Sequence, residues 1–238
     1  MDAVVLAGGR GRRIRTVTDG PKCLLPIGGT AVLDHVIGWL CAGGSIDRVW
    51  VAAGYQGDRV RQHVADRYPA GQVRVEVEPE PVGTGGALAR LRGRPNDPVS
   101  DPLRDPVSDP LVVANGDTML VGDLEGLLRC HRASSAWVTT AVIPRGRRDA
   151  DGMAVPILPG PVRRMGRGLS GPGTVVSAGL SVMGGAALDR ATCPGSLEGL
   201  LASLVAECRG WVWAYPWHAA VDVGTPARYR AAVVQHGG

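Results

Sequence analysis

The sequence lacks the patterns that mark zinc-binding, membrane-spanning and secreted chains. Its five cysteines form no CxxC pair, so a zinc site is not predicted and we expect reduced thiols. No run of about 18 apolar residues occurs, so a membrane span is not predicted either. The start of the chain lacks the basic segment of a signal peptide, and we expect a cytoplasmic protein. Phenylalanine is absent as well, and this excludes nothing.

Acidic residues are slightly outnumbered by basic ones, 22 against 26, which gives a formal net charge of +4. This balance favours an anionic ligand, and a small phosphorylated compound satisfies it as well as nucleic acid does. With 238 residues, 45% of them hydrophobic and 20% charged, the chain has the composition of a globular protein. Its length predicts one domain over residues 1–238.

Short apolar runs alternate with helical patterns along the chain. The runs predict strands at 3–7, 48–53, 73–78, 111–114, 137–143, 175–183 and 211–215. Helices are predicted after three N-cap residues, Thr30, Ser196 and Thr225. This alternation predicts an α/β fold with a doubly wound, mainly parallel, Rossmann-like mixed sheet, whose ligands bind beyond the carboxyl ends of the strands.

Two segments interrupt the pattern. Residues 95–110 repeat Asp-Pro, and proline at that density permits neither a helix nor an interior strand, so we predict a surface insertion. Residues 144–173 are rich in Gly, Pro and Arg, which predicts an irregular substrate region or a lid.

The first strand runs into LAGGRGRRIRTVTDGPKCLLP at residues 6–26. Glycines that let backbone N–H groups approach a ligand, next to arginines and a lysine, predict a phosphate cradle. A P-loop is excluded because no Gly-Lys-Ser/Thr follows the glycines. A dinucleotide fold is excluded because the glycine spacing is wrong and no acid ends the second strand.

The same stretch resembles the signature of the sugar-1-phosphate nucleotidyltransferases, and the chain looks most like the heptose- and mannose-1-phosphate guanylyltransferases. The resemblance implies a nucleoside triphosphate in the cradle, with Arg13 on the leaving pyrophosphate and Lys22 on a phosphate. Arg12 and Cys23 depart from the family pattern. The nucleotide-binding residues that the resemblance implies are Leu6, Ala7, Gly8, Gly9, Arg10, Gly11, Arg12, Arg13, Glu78, Gly83, Thr84, Asn115 and Gly116.

Residues 78–87, EPEPVGTGGA, resemble the family's base-recognition segment. Gly83 is expected to permit close approach of a flat base. In the family, the residue at the position of Glu78 faces the Watson–Crick edge of the base. A carboxylate there favours GTP, because it accepts from the N–H groups of guanine. A solvated loop acid is the alternative for Glu78.

Two strand-end acids, Asp117 in ANGDT and Asp222 in VDVGTP, resemble the family's metal pair. The resemblance implies that both hold Mg²⁺, a cofactor that takes one or two carboxylates together with phosphate oxygens. Arg13, Lys22, Asp117 and Asp222 are therefore the expected catalytic residues. Helix capping is the alternative for each acid: Asp117 would cap a helix at DTML, and Asp222 the last helix.

The sugar side matches the family less well. By their places in the chain, Gly152, Arg167, Ser177 and Gly179 are expected to bind the sugar phosphate. Arg167 stands where the family has a lysine. Arginine retains the positive charge but changes the hydrogen-bonding geometry. Gly166 stands where the family has a glutamate, and Ser177 where it has an asparagine.

The expected function is transfer of a nucleoside monophosphate from an NTP, with GTP favoured, to a sugar 1-phosphate, with heptose 1-phosphate favoured. The alternatives are the same reaction with another base and a hexose 1-phosphate, or a catalytically weak nucleotide-binding homologue. A module that binds nucleic acid through the arginines is the weakest alternative. Neither nucleic acid nor membrane is an expected partner, and a homo-oligomer is left open.

Overall fold

The computed structural model describes residues 1–69, 71–93, 107–144, 159–166, 169 and 174–236. The strands are β1 (Asp2–Ala7), β2 (Pro26–Ile27), β3 (Thr30–Ala31), β4 (Arg48–Ala53), β5 (Val73–Val77), β6 (Leu111–Asn115), β7 (Thr118–Val121), β8 (Val138–Pro144), β9 (Gly160–Pro161), β10 (Val175–Met183), β11 (Val212–Pro216) and β12 (Ala219–Asp222). The helices are α1 (Val32–Ala42), α2 (Gly57–Arg67), α3 (Gly83–Arg92), α4 (Leu124–Ala133), α5 (Gly185–Leu188), α6 (Leu197–Glu207) and α7 (Pro226–His236).

Eight strands form one sheet in the order β5-β4-β1-β6-β10-β8-β11-β9. Strands β5, β4, β1 and β6 are parallel, β10 is antiparallel to both of its neighbours, and β8 and β11 are parallel. Strands β4 and β5 lie on one side of β1, and the next strand of this sheet, β6, lies on the other side. This reversal is a topological switch point, where open α/β sheets bind ligands. The predicted mixed, mainly parallel α/β fold is confirmed.

Side chains along β1 point alternately into two hydrophobic cores, as the period of a strand requires. Val5 packs with α1, α2 and α4 on one face of the sheet, and Val4 packs with α3, α5 and α6 on the other. Both side chains are fully buried. The sheet is therefore covered on both faces, and its strand ends remain free to hold a site.

The predicted strands agree with the structure to within one residue at almost every end. Two of the three predicted N-caps are confirmed: Ser196 Oγ accepts from the N–H of Gly199 at 3.0 Å, and Thr225 Oγ1 accepts from that of Arg228 at 3.3 Å. Thr30 as an N-cap is wrong. It belongs to β3, which pairs with β2 in a short hairpin, and Ala31 occupies the N-cap position without a side-chain bond.

The small sheet that β7 and β12 form was not predicted. Strand β7 follows β6 after a turn at Gly116 and Asp117, and it pairs with β12 from near the end of the chain. The alternative in which Asp117 caps a helix at DTML is wrong, because Thr118–Val121 is strand β7. This small sheet places two distant parts of the chain side by side.

Much of both interrupting segments, including residues 94–106 and 145–158, lies outside the described residues. Residues 107–110, the described part of the predicted insertion, include a buried Val107 and an exposed Asp109, and the backbone N–H of Asp2 donates to Ser108 Oγ at 2.7 Å. Among the described residues, no helix has the length and apolar character needed to cross a bilayer.

Candidate active site

A cavity of about 760 Å³ opens at the carboxyl ends of β1 and β6, at the switch point of the sheet. Most of the residues predicted for the nucleotide and for catalysis line it, namely Leu6, Gly8, Gly9, Arg10, Gly11, Arg12, Arg13, Lys22, Glu78, Gly83, Thr84, Asn115, Asp117 and Asp222. Sequence reasoning missed the other lining residues, which are Ala52, Pro81, Ala87, Thr118, Glu198 and Gly224.

The loop after β1 presents positive charge to this cavity. Its arginines at 10, 12 and 13 are exposed, while Ile14 is buried and anchors the loop from below. The N–H of Ile14 donates to the carbonyl of Gly11 at 2.9 Å, which closes a short 3-10 turn over Arg12–Ile14. The buried isoleucine thus turns its arginine neighbours toward the ligand space.

The end of β4 supports the same loop. The N–H of Tyr55 donates to the carbonyl of Gly8 at 3.2 Å, and a Cβ at Gly54 would lie 2.7 Å from that oxygen. Only a glycine at 54 lets the two backbones approach so closely. Sequence reasoning missed Gly54, although a glycine that ends the strand next to β1 is the available signal.

Lys22 is held over the loop by the residue that follows it. Cys23 is almost fully buried, and burial, with a further contribution from the charge of Asp117, raises the pKa of its thiol to about 12. A buried thiol therefore fills the position where the family has proline. The Lys22 side chain packs against Gly9, and its Nζ forms an ion pair with Asp117 Oδ2.

The two predicted metal-holding acids are joined through their backbones. Asp222 lies opposite Thr118 in the β7–β12 pairing, and the N–H of Val223 donates to the carbonyl of Asp117 at 3.0 Å. The side chain of Asp117 is 14% exposed and that of Asp222 is 38% exposed. The structure thus holds both acids on one wall of the cavity.

The carboxylate of Asp222 is engaged on both sides. Its Oδ1 accepts from the N–H of Gly224, and its Oδ2 forms an ion pair with Arg228. A Cβ on Gly224 would lie 2.8 Å from Oδ1 and 3.7 Å from a guanidinium nitrogen of Arg13. Arg13 and Asp222 therefore approach each other above Gly224.

The donor set on this wall suits a hard divalent ion. Asp117 and Asp222 supply carboxylate oxygens, and Mg²⁺ usually takes only one or two of these and fills its sphere with water and substrate phosphate oxygens. Within the described ranges, no cluster of three or more His, Cys, Asp or Glu residues could hold a metal. Any ion here would therefore complete its coordination sphere with water or substrate oxygens.

Glu78 lines the cavity directly after β5. Its N–H donates to the carbonyl of Ala53 at 2.8 Å, which continues the pairing of β4 and β5, and its side chain is directed at the loop near Gly8. Burial is the main cause that raises the pKa of this carboxyl, against the lowering effects of the Val82 N–H and Arg90. Glu80, two residues away, is exposed.

Gly83, which lines the cavity, is also required by the backbone packed against it. Its φ is +78°, and a Cβ there would lie 2.3 Å from the carbonyl oxygen of Gly195. Next to it, Thr84 Oγ1 accepts from the N–H of Leu197 at 2.8 Å. These contacts join the start of α3 to the start of α6. They also bring Glu198, in the first turn of α6, into the lining of the cavity.

The remaining predicted residues lie beside the cavity or outside the described residues. Ala7 is buried, and Gly116 packs behind β1, with its N–H donating to the carbonyl of Leu6 at 3.0 Å. Ser177 is exposed on β10. A Cβ on Gly179 would lie 2.8 Å from Asn115 Nδ2, so Gly179 packs against a residue of the cavity. The predicted sugar-phosphate residues Gly152 and Arg167 lie outside the described residues.

The sequence was compared with known families. The family described as "MobA-like NTP transferase domain" matches residues 3–158, which include the glycine-rich loop, Lys22, Glu78 and Asp117. Nucleotidyltransferases of this family typically use a divalent metal. Asp222 lies beyond the matched region.

Two curated relatives are similar over 60% and 61% of the chain. A D-glycero-alpha-D-manno-heptose 1-phosphate guanylyltransferase of Aneurinibacillus thermoaerophilus is 31% identical over 145 residues, covering 60% of this chain and 58% of the relative. A mannose-1-phosphate guanylyltransferase of Mycobacterium tuberculosis is 32% identical over 148 residues, covering 61% of this chain and 38% of the relative. The chain thus matches less than two thirds of the length of either relative.

Two solved structures share the fold over nearly the whole chain. HddC from Yersinia pseudotuberculosis, complexed with GMP-PN, superposes with a TM-score of 0.70 at 19% identity, covering 98% of each chain. The inositol-1-phosphate CTP transferase from T. maritima gives a TM-score of 0.71 at 16% identity, covering 99% of this chain and 95% of that one. The similarity of fold thus extends beyond residue 158, where the family match ends.

Proposed function

The chain belongs to the family of MobA-like NTP transferase domains, and on this premise we propose that it transfers a nucleoside monophosphate from an NTP to a sugar 1-phosphate. Pyrophosphate is the second product. GTP is the proposed donor, and heptose 1-phosphate the proposed acceptor, because a similar relative is named as a guanylyltransferase of a heptose 1-phosphate. Membership of the family supports the reaction class.

One observation carries the proposal. A single cavity at the switch point of the sheet has arginines and Lys22 on the glycine-rich loop, and faces them with Asp117 and Asp222. The cations suit a triphosphate, and the acids suit a divalent ion that bridges phosphate oxygens. A basic surface for nucleic acid would not need two acids built into its wall.

The chain's own residues would act by position and charge. An oxygen of the sugar 1-phosphate attacks the α-phosphorus in line, and the bond from that phosphorus to the leaving pyrophosphate breaks. Arg13 and Lys22 would stabilise the negative charge that moves onto pyrophosphate. Asp117 and Asp222 would hold Mg²⁺, which when bound supplies positive charge at the α-phosphate. Without ligands, Lys22 is paired with Asp117, so it exchanges a carboxylate for phosphate on binding.

Glu78 supports the choice of guanine. Its half-buried carboxylate lines the cavity and can accept from the N–H groups of that base. Uracil and thymine offer fewer donors to it. The proposal therefore predicts a preference for GTP over UTP that Glu78→Gln weakens.

The test is a matrix of four NTPs against hexose and heptose 1-phosphates, with pyrophosphate release as the readout. The expected result is fastest release with GTP and a heptose 1-phosphate, lost on chelation of metal and restored by Mg²⁺. Nucleotide binding by calorimetry without release for any pair would instead favour the catalytically weak homologue. Equal rates with all four bases would contradict the role given to Glu78.

A further inference from the structure

Arg228 occupies an unusual place for a basic residue. It is the third residue of α7, and Thr225, three positions before it, is the N-cap. A capping box places Glu or Gln at this position, and the positive end of the helix dipole favours an acid there. The first turn of α7 contains no acid. Stability of the helix alone therefore does not explain an arginine at 228.

The contact of Arg228 supplies a different reason. Its guanidinium forms an ion pair with Asp222 Oδ2, while Gly224 occupies Oδ1. Both oxygens of the proposed ion-holding carboxylate are thus engaged before any ligand binds. The Arg228 side chain is 58% exposed and lies outside the cavity lining, so it can turn away without disturbing the core.

We propose that Arg228 is a positioning residue that holds Asp222 in the ligand-free protein and competes with the divalent ion for Oδ2. The inference rests on the proposed function, which assigns that ion to Asp117 and Asp222. Lys22 neutralises Asp117 in the same way from inside the cavity. The two acids can therefore lie together without a metal, and a free ion must displace a cation to bind.

The competition has a consequence for the order of binding. A bare divalent ion meets the repulsion of Arg228 and Lys22, whereas an ion already bound to a triphosphate brings negative charge that offsets both. The metal therefore enters chiefly together with the nucleotide. A single positive charge several ångströms from a divalent ion, attenuated by water and salt, changes the affinity for that ion by about three- to tenfold.

The test measures Mn²⁺ binding by electron paramagnetic resonance without nucleotide or sugar phosphate. Arg228→Ala should bind Mn²⁺ about three- to tenfold more tightly than the unmodified chain. Arg230→Ala is the matched control: it removes the same charge from the same helix, and its side chain contacts only the carbonyl of Pro226 among the contacts described for it. If the two variants bind Mn²⁺ equally, or Arg228→Ala binds it more weakly, the inference is overturned.

A double-mutant cycle tests whether the effect passes through Asp222. In an Asp222→Asn background, Arg228→Ala should no longer tighten Mn²⁺ binding, and persistence of the full effect there would also overturn the inference. An exposed ion pair adds little to stability, so the variants should fold, and Arg228→Gln gives the same comparison with a longer side chain. Because no substrate is present, the result does not depend on turnover: absence of pyrophosphate release in the unmodified chain would reject the proposed function alone.

Discussion

Replacing Asp117 and Asp222 by asparagine, singly and together, tests whether the two acids act on one ion. Asparagine keeps the shape of the side chain and removes the charge. The backbone bond from Val223 to Asp117 and the β7–β12 pairing do not involve either carboxylate, so both should survive. The double variant should therefore fold and still lack the charge that holds the ion.

The expected magnitudes follow from this geometry. Each single substitution removes one of two protein ligands and should cost at least ~3 kcal/mol of transition-state stabilisation, about a hundredfold in rate. If the two acids acted independently, their free-energy losses would add, and the double variant would lose about ten-thousandfold in rate. The effects of residues that act as a unit do not add. If both acids hold one ion, the rate of the double variant should therefore be at most about tenfold below that of the slower single variant.

The assay is steady-state release of pyrophosphate from GTP and the best sugar 1-phosphate, with Mg²⁺ as the sole metal. Asp58→Asn is the control, because Asp58 is an exposed acid on α2 whose ion pair with Arg61 at 2.8 Å lies outside the cavity lining. The reasoning is refuted if either single variant turns over at a near-normal rate. It is also refuted if the double variant loses about ten-thousandfold in rate, as independent effects would give, because the acids would then not share an ion.

Three further predictions concern residues around the same cavity. Gly224→Ala should fold but lose at least about tenfold in pyrophosphate release, because the added Cβ would displace the Asp222 carboxylate. Glu78→Gln should weaken GTP binding and raise the melting temperature at pH 7. Burial raises the pKa of Glu78, so its ionised form destabilises the folded protein at pH values above that pKa, and glutamine removes this destabilisation. Below pH 4.5, the ordinary pKa of the carboxyl, the group is protonated in both the folded and the unfolded chain, so the gain in melting temperature should disappear. In native thiol titration with an aromatic disulfide, exposed Cys193 should react and Cys23 should react only after unfolding, because burial raises the pKa of Cys23 to about 12.

The central strands of the large sheet were predictable because they are continuous apolar runs, whereas the two-residue strand β9 was not predicted. Val4, Val51 and Val113 lie in strands buried on both faces, and such strands retain their pattern whatever surrounds them. Ser196 and Thr225 were predictable for a similar reason, since an N-cap is a local device that the sequence specifies within a few residues.

The β7–β12 sheet was not predictable from pattern. Its strands have four residues each, too few to establish a period, and residues 122–218 separate them in the sequence. Thr30 failed as an N-cap because the hairpin with Ile27 competes for the same residue. In both cases a tertiary contact decided what a short segment does.

Within the candidate site, the glycine-rich loop was found from its composition, and Lys22, Glu78 and both acids from the family resemblance that their motifs carry. Gly54 and Glu198 were missed, because each joins the cavity through an element that is adjacent only in the fold. Gly83 was found as a residue expected beside the base, and the structure adds its close approach to the carbonyl of Gly195. The motifs thus located residues that line the cavity, and missed much of the scaffold that holds them.

The pairing of β7 with β12 also constrains how the protein is made. A ribosome releases the glycine-rich loop and Asp117 well before β12, the strand that completes the small sheet. Until then, a nascent chain has β7 as an unpaired edge and holds one acid without the other. Translation must therefore pass Asp222 before the two acids proposed to hold the ion can lie side by side.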